Sequence, residues 1–394
     1  MSKTPSIRFE KNKDEWEFIP LVSIANTITT GKLDANAANL YGKYKFFTCS
    51  KDDYKTNTYS FDGDAVIVNG NGDLGITKVF SGKFDAYQRT YVLMDFNQNF
   101  SYVGKAIPHY LPERIRKEAI GGAMPYIKID TLNGLEIGIP SMPEQQDIAT
   151  FLSNIDSLIE EKNKELDKCK KYKVSMLYKM FPKEGESVPA IRFKGFSGDW
   201  NKEVLGKLYE IYNGLNKEKS AFGSGSPIIN YMDVNKNAVI TDDKIMGKVK
   251  LSAVEIKNNI VNKEDVLLAR TYEVIEEGAF SSAYVGNLDN VVFSGFLLKA
   301  APLKKEKVCA EFIALYVRYA ENARKQINKL ATKTSRALIN GDNLKKMEIL
   351  IPKKEEQLLI ANFFRNLDTM IENQEKEIKT LEYFKATMLS KMFA

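Results

Sequence analysis

The 43 residues from Ile139 to Phe181 align without a gap on Ile351 to Phe393, at a constant offset of 212 and with 19 identities. A duplication of that quality dictates an internally repeated architecture before any other feature is weighed. The shared positions include Ile139/Ile351, Pro140/Pro352, Glu144/Glu356, Gln145/Gln357, Ala149/Ala361, Asp156/Asp368, Lys164/Lys376 and the closing Met176-Leu177 and Met388-Leu389 pairs. A shorter copy opens each half, where Pro5, Ile7, Arg8, Phe9 and Trp16 match Pro189, Ile191, Arg192, Phe193 and Trp200 at an offset of 184. The second globular part is therefore longer by 28 residues. The expected organisation is a first head over residues 1–138, a helix over 139–181, a linker over 182–190, a second head over 191–350 and a second helix over 351–394.

Within the repeat, apolar residues advance by three and four: Ile148, Leu152, Ile155, Ile159, Leu166, Cys169, Met176 and Met180, copied as Ile360, Phe364, Leu367, Ile371, Ile378, Leu381, Met388 and Met392. That average step of 3.5 is a coiled-coil seam, so each helix needs a partner helix. The polar interruptions coincide too, Lys162 with Gln374 and Lys173 with Lys385. A helix from near Glu144 to the block at Pro182 is a rod of roughly 57 Å.

The heads read as mixed α and β. Phe61-Asp62-Gly63-Asp64 predicts a turn into a buried strand at Ala65–Val68, and Asn262-Lys263-Glu264-Asp265 the same into Val266–Ala269. Further strands are expected at Tyr91–Met94 and Val291–Lys299, and a helix over Ala310–Leu330. The fold class is α+β. Between the matched ends the two heads share almost no sequence, so the scaffold is repeated while each head is individual.

Several chemistries find no support. Gly70-Asn71-Gly72-Asp73-Leu74-Gly75 matches a dinucleotide fingerprint, but the following Ile76-Thr77-Lys78-Val79-Phe80 is β-branched where a helix must open. It reads as a glycine-rich turn. Gly223-Ser224-Gly225-Ser226-Pro227 reads as a flexible loop without the Lys-Ser or Lys-Thr of a phosphate loop. The sole histidine, His109, lies in Pro108-His109-Tyr110-Leu111-Pro112, read as a turn or connector, and cannot form a metal site with a second histidine. Cys49, Cys169 and Cys309 are too far apart for a CxxC pair and are expected as reduced thiols. There is no Gly-x-Ser-x-Gly, no His-Glu-x-x-His and no Asn-Pro-Pro-Tyr or Asp-Pro-Pro-Tyr methyltransferase motif, so neither catalysis nor a cofactor or metal is expected of this chain. No apolar run approaches a membrane span, and the charged start argues for the cytoplasm. The net charge of +6 is uneven, being +1, −1, +6 and 0 over residues 1–138, 139–188, 189–350 and 351–394. A basic second head suits a phosphate backbone or simple solubility.

Taken together, the paired openings Ile7-Arg8-Phe9 and Ile191-Arg192-Phe193 with Trp16 and Trp200, the strand entries Gly63-Asp64 and Glu264-Asp265, and the junctions Ile139-Pro140 with Glu144-Gln145-Gln146 and Ile351-Pro352 with Glu356-Gln357 carry a resemblance. Over its whole length the chain resembles the specificity subunit of type I restriction-modification systems. The resemblance implies two target recognition domains, each reading one half of a bipartite double-stranded DNA site. It also implies two antiparallel helices that set the spacer and dock two methyltransferase subunits. Those subunits would hold S-adenosylmethionine, and two motor-nuclease subunits can add. Glu264 departs from the commoner glycine, which bears on that turn's geometry.

Base readout needs Arg, Lys, Asn or Gln on loops that reach a groove. The candidates are Asn69, Asn71, Lys78, Gln88 and Arg89 in the first head, and Arg270, Thr271, Tyr272, Lys333, Thr334, Ser335 and Arg336 in the second. For each, an ordinary solvated loop residue is the plain alternative. On the helices, Leu158, Leu177, Phe363, Met370 and Leu389 lie off the seam and are the candidates for methyltransferase docking. Two other functions compete: a non-catalytic coiled-coil scaffold that binds protein, and the recognition part of a type IIG-like enzyme.

Overall fold

The computed structural model describes residues 4–9, 14–52, 54–272, 280–333 and 337–393. The chain divides into two compact units, Met1–Lys164 with Glu375–Ala394 and Glu165–Gln374. Each long helix thus contributes one part to each unit.

The first unit contains β1 (Glu17–Pro20), β2 (Ala25–Thr30), β3 (Tyr44–Phe47), β4 (Tyr54–Thr56), β5 (Phe61–Asn69), β6 (Thr77–Ala86), β7 (Thr90–Phe96), α1 (Phe100–Glu118), α2 (Ile129–Asn133), β8 (Glu136–Ile139) and the start of α3 (Met142–Lys179). Six strands form one sheet in the order β2-β7-β5-β6-β3-β4, while β1 pairs with β8. Residues 65–68 are buried on both faces because β5 is central and both sides of the sheet are covered. Val66, Val68 and Leu93 belong to the core with α1, and Ala65, Ile67 and Val92 pack with Phe47 and Phe84 on the other face. Helix α1 buries Tyr102, Val103, Ala106, Ile107, Tyr110 and Leu111 at helical spacing, and Asn99 caps it by accepting from the Tyr102 N–H at 3.0 Å. His109, read above as part of a connector, lies inside this helix. Pro108 is exposed on it, so the apolar stripe prevails over the prolines.

The second unit contains β9 (Asn201–Val204), α4 (Leu205–Leu208), β10 (Tyr209–Asn213), β11 (Phe222–Ile229), α5 (Tyr231–Lys236), β12 (Val239–Ile240), β13 (Gly247–Val249), α6 (Ala253–Asn259), β14 (Val266–Ala269), β15 (Thr271–Tyr272), β16 (Ser281–Tyr284), β17 (Val292–Phe293), β18 (Leu297–Pro302), α7 (Ala310–Tyr319), α8 (Glu321–Leu330), β19 (Thr332–Lys333), β20 (Ala337–Leu338), α9 (Gly341–Lys345), β21 (Glu348–Ile351) and the start of α10 (Lys354–Met392). Its main sheet runs β10-β18-β14-β16-β12, which is β2-β7-β5-β6-β3 strand for strand. The senses agree as well: β12 is parallel to β16 as β3 is to β6, and the other pairs are antiparallel.

Three expectations are corrected in this unit. Gly223–Pro227 is part of β11, where three extra residues bulge out between the Phe222 and Ser226 pairings to Val249. The single strand expected at Val291–Lys299 is β17 and β18 with a turn between them. The helix expected over Ala310–Leu330 breaks at extended Ala320 (φ −67, ψ 129), so that Ala323 and Ile327 of α8 join the α7 core. Glu264 takes φ 76, the left-handed backbone that glycine adopts freely, at a cost of about 1 kcal/mol. Its N–H bond to Tyr284 O at 2.9 Å and the Asp265 N–H bond to Asn262 O at 3.0 Å hold it there.

The repeated residues turn out to be joints. Arg8 donates to both oxygens of buried Glu144, at 2.9 and 2.7 Å, and Arg192 does the same to Glu356, at 2.8 and 2.6 Å. Gln145 donates to Pro140 O and accepts the Asn99 N–H, while Gln357 donates to Pro352 O and accepts the Cys309 N–H. Trp16 packs on Phe393 at 6.3 Å between ring centroids, and Trp200 on Phe181 at 6.4 Å. The Ile7 N–H donates to Lys391 O and the Ile191 N–H to Lys179 O, both at 3.0 Å. Ile139 and Ile351 close strands, so the matched segment opens on a strand and the helices begin at Met142 and Lys354.

The polar interruptions of the seam also have partners. In the first unit Lys385 pairs with Asp156 at 2.5 Å and Lys162 with Glu377 at 3.2 Å, so the two helix segments there run antiparallel. In the second unit Lys173 pairs with Asp368, and Phe181 stacks on Phe364. Burial alone would raise the Asp156 carboxyl, but hydrogen bonds from Lys105 and Lys385 outweigh it and hold the group below its ordinary value.

Candidate nucleic-acid interface

At the end of each main sheet a four-residue turn sits in the same hydrogen-bond frame. In the first unit Tyr87-Gln88-Arg89-Thr90 links β6 to β7, closed by Thr90 N–H to Tyr87 O at 2.8 Å. In the second, Ser294-Gly295-Phe296-Leu297 links β17 to β18, closed by Leu297 N–H to Ser294 O at 3.0 Å. The surrounding bonds match one for one. Gln88 N–H donates to Leu33 O, and Gly295 N–H to Leu215 O; Gly70 N–H donates to Arg89 O, and Arg270 N–H to Phe296 O. Ile127 N–H then donates to Gly70 O, and Ile339 N–H to Arg270 O, each at 3.0 Å. Position 70 thus corresponds to 270, and position 89 to 296, although no residue at either position is shared.

In the first unit this frame borders a cleft of about 440 Å³ whose lining includes Thr30, Gln88, Arg89, Tyr91, Tyr126, Lys128 and Asp130. Among the described residues, the guanidinium groups of Arg89 and Arg270 have no hydrogen-bond or ion-pair partner, and the Arg270 Nε is buried without one. Gln88 and Arg89 are exposed. An unpaired cation with a planar fork of donors, beside amide and hydroxyl groups in a cleft, suits the bidentate recognition of a base edge or a phosphate.

The candidates named from the sequence divide accordingly. Gln88, Arg89 and Arg270 come to the two turns, while Thr271 opens β15 opposite Leu338. Lys78 holds its own unit together, its ammonium donating to Lys51 O at 2.9 Å. Asn69 and Asn71 are corrected: both are buried, and the Asn69 amide donates to Asp73 O inside the glycine-rich turn, so they shape that turn instead of projecting from it. Tyr272 and Lys333 lie in β15 and β19. Thr334, Ser335 and Arg336 lie outside the described residues.

Of the helix candidates, Leu158 and Met370 are exposed, at 39% and 50%. Leu177 is buried in the core of the second unit, Leu389 packs against the core of the first, and Phe363 contacts Phe193. A docking role for Leu177 is therefore corrected, because the helix end turns that face onto its own unit.

Tyr126, Lys128 and Phe296 escaped the sequence reading. Residues 126 and 128 reach the cleft only because Ile127 bonds to Gly70, more than fifty residues earlier, and nothing local announces that. Phe296 followed a glycine inside an apolar run and looked like core. Among the described residues no group of His, Cys, Asp and Glu could hold a metal ion, and no helix is long and apolar enough to cross a membrane.

Two units of one topology, each with an arginine at the same turn that has no side-chain partner among the described residues, define a tandem α+β protein. The chain belongs to the family described as the type I restriction modification DNA specificity domain, which matches residues 13–169 and 198–383. It is 33% identical over 153 residues to the type I restriction enzyme EcoDI specificity subunit of Escherichia coli, covering 39% of this chain and 34% of that protein. It is 23% identical over 288 residues to the MjaVIII specificity subunit of Methanocaldococcus jannaschii, covering 70% and 65%. The matches thus span about a third and just under two thirds of these relatives' lengths. In fold it is similar to the type I restriction-modification S subunit from M. genitalium, with a TM-score of 0.63, 16% identity and 99% of both chains covered. It is also similar to a chain from a structure on complex assembly and conformational transition of the type I R-M system, with a TM-score of 0.56, 14% identity and 98% and 99% covered.

Proposed function

We propose that this chain is the DNA-reading subunit of a type I restriction-modification methyltransferase, each unit reading one half of a bipartite site. The observation that carries the reading is the matched turn: two unlike sequences keep one backbone frame and each places an arginine there without a side-chain partner among the described residues. One frame with exchanged side chains is what readers of two different half-sites need. Joining two readers raises the effective concentration of the second half-site once the first is bound.

The chain is a recognition component without an active site of its own. The chemistry belongs to two methyltransferase subunits that carry S-adenosylmethionine, with two motor-nuclease subunits adding for cleavage. The long helices set the spacer between half-sites and dock the methyltransferases, with Leu158 and Met370 as the exposed apolar contacts. The test is to express the chain beside its methyltransferase and map methylated bases across the genome. A bipartite motif with a fixed spacer, lost when this chain is omitted, is expected. Methylation independent of this chain, or DNA binding by the complex without salt dependence, would remove the reading.

A further inference from the structure

The two turns reach the same backbone frame but offer different chemistry, and the reason is the residue beneath. In the first unit a Cβ at Gly70 would lie 2.4 Å from Arg89 O and 2.8 Å from the Tyr91 ring. Tyr91 cannot yield, because its hydroxyl donates to Ile127 O at 2.8 Å in a buried bond. Position 70 is thereby closed to side chains, and the polar group has to come from the turn, as Arg89. In the second unit Leu298 stands where Tyr91 does, since Thr30 pairs with Tyr91 and Asn213 with Leu298. There position 270 carries an arginine, beside a leucine in place of the tethered ring. The turn position opposite is then occupied by Phe296, which is 60% exposed. Gly295 brings it close to the neighbouring loop, as a Cβ there would meet Asn216 Oδ1 at 1.9 Å. An exposed phenylalanine at a turn tip has nothing to gain from water, and it stands next to a turn-bound arginine that has no partner among the described residues.

Resting on the DNA-reading function above, we propose that Arg89 and Arg270 each read a guanine of their own half-site from opposite sides of one conserved turn, and that Phe296 reads the 5-methyl group of a thymine in the half-site of Arg270. Arginine forks to guanine O6 and N7, and an apolar side chain is the group that distinguishes thymine by its methyl. Tyr91 and Leu298 are positioning residues that decide from which side the arginine enters.

The experiment uses the full complex with its methyltransferase, first to obtain the motif and then to measure binding to modified duplexes. Replacing the contacted guanine in either half-site by 7-deazaguanine, which removes the N7 acceptor and leaves O6, should weaken binding by roughly 2- to 12-fold, about half the free energy of a bidentate arginine contact. Replacing thymine by uracil at the Phe296 position should weaken it by about 4-fold, the worth of one buried methyl. Arg89→Ala should relax one base in one half-site, whereas Arg270→Ala and Phe296→Ala should relax neighbouring bases in the other. Phe296→Leu should keep the thymine preference. A half-site without guanine, Arg270 and Phe296 variants acting on different half-sites, or wild-type binding indifferent to both base analogues would overturn the assignment. A wild-type complex that gives no bipartite motif would instead overturn the DNA-reading function itself.

Discussion

The two units differ most where their folds agree and agree most where they meet the helices. Their main sheets share strand order and strand sense over five strands, yet the strands have little sequence in common. The joints, by contrast, repeat residue for residue: Arg8 with Glu144 and Arg192 with Glu356, Gln145 and Gln357, Trp16 on Phe393 and Trp200 on Phe181. The difference separates two kinds of constraint. A sheet needs apolar alternation and turn geometry, which many sequences supply. A buried ion pair with bidentate geometry tolerates almost no substitution, because removing one partner strands a charge.

The largest expected effect tests that equivalence directly. Glu144→Ala and Glu356→Ala should each destabilise their own unit by about 3 to 5 kcal/mol, since both carboxylates are buried and their arginines nearly so. Urea unfolding of each variant, followed by tryptophan fluorescence, measures the cost, with Trp16 reporting one unit and Trp200 the other. Costs differing several-fold between the two variants would show that the joints are alike in sequence only.

This comparison also explains what could be read in advance. The joint residues were legible as a repeat, down to the matching Lys173 and Lys385, but not as pairs, because Arg8 and Glu144 stand 136 residues apart. Central strands were legible from Ala65–Val68 and Val266–Ala269, being apolar on both faces. The shared topology was not, because the pairing of β14 with β18 or β3 with β6 depends on contacts far apart in sequence. The break at Ala320 carries no glycine or proline to announce it. At the candidate site, arginine next to a turn pointed to Arg89 and Arg270, but asparagine in a glycine-rich turn misled: Asn69 and Asn71 serve the turn itself.

A second way to sharpen the comparison uses the loop that follows β2 and β10. A Cβ at Gly31 would sit 1.9 Å from Ala86 O, and one at Gly214 2.0 Å from Ser294 O. Both glycines let that loop cross the base of the turn. Gly31→Ala and Gly214→Ala should each cost about 1 to 3 kcal/mol, as overpacking against backbone does. Each should also weaken methylation through its own half-site, read by motif mapping. Equal loss at both half-sites from either variant would argue that the turns are coupled. A smaller effect is expected of Asn69→Ala, about 1 kcal/mol from one lost hydrogen bond, with the motif unchanged. An altered motif would restore Asn69 as a reader.

The smallest effect is a loss of stability toward acid pH confined to one unit. The chain has one histidine, His109, whose ring lies tilted at 5.6 Å from that of Phe393, and burial lowers its pKa below the ordinary 6.5. Lowering means that the folded unit prefers the neutral ring, so between the folded and unfolded pKa values the unfolded chain binds more protons. Stability therefore falls as pH drops from 6.5 toward the folded value and is fully present above 6.5. The second unit has no histidine to respond. With Trp200→Phe, the remaining Trp16 reports the first unit; with Trp16→Phe, Trp200 reports the second. Denaturation midpoints between pH 7.5 and 5.5 should fall for the first but not for the second, where burial raises the Asp233 and Asp265 carboxyls and so acts in the opposite sense, and His109→Gln should remove the fall in the first. Parallel slopes in the two single-tryptophan proteins would place the titrating group elsewhere and remove this asymmetry between the units.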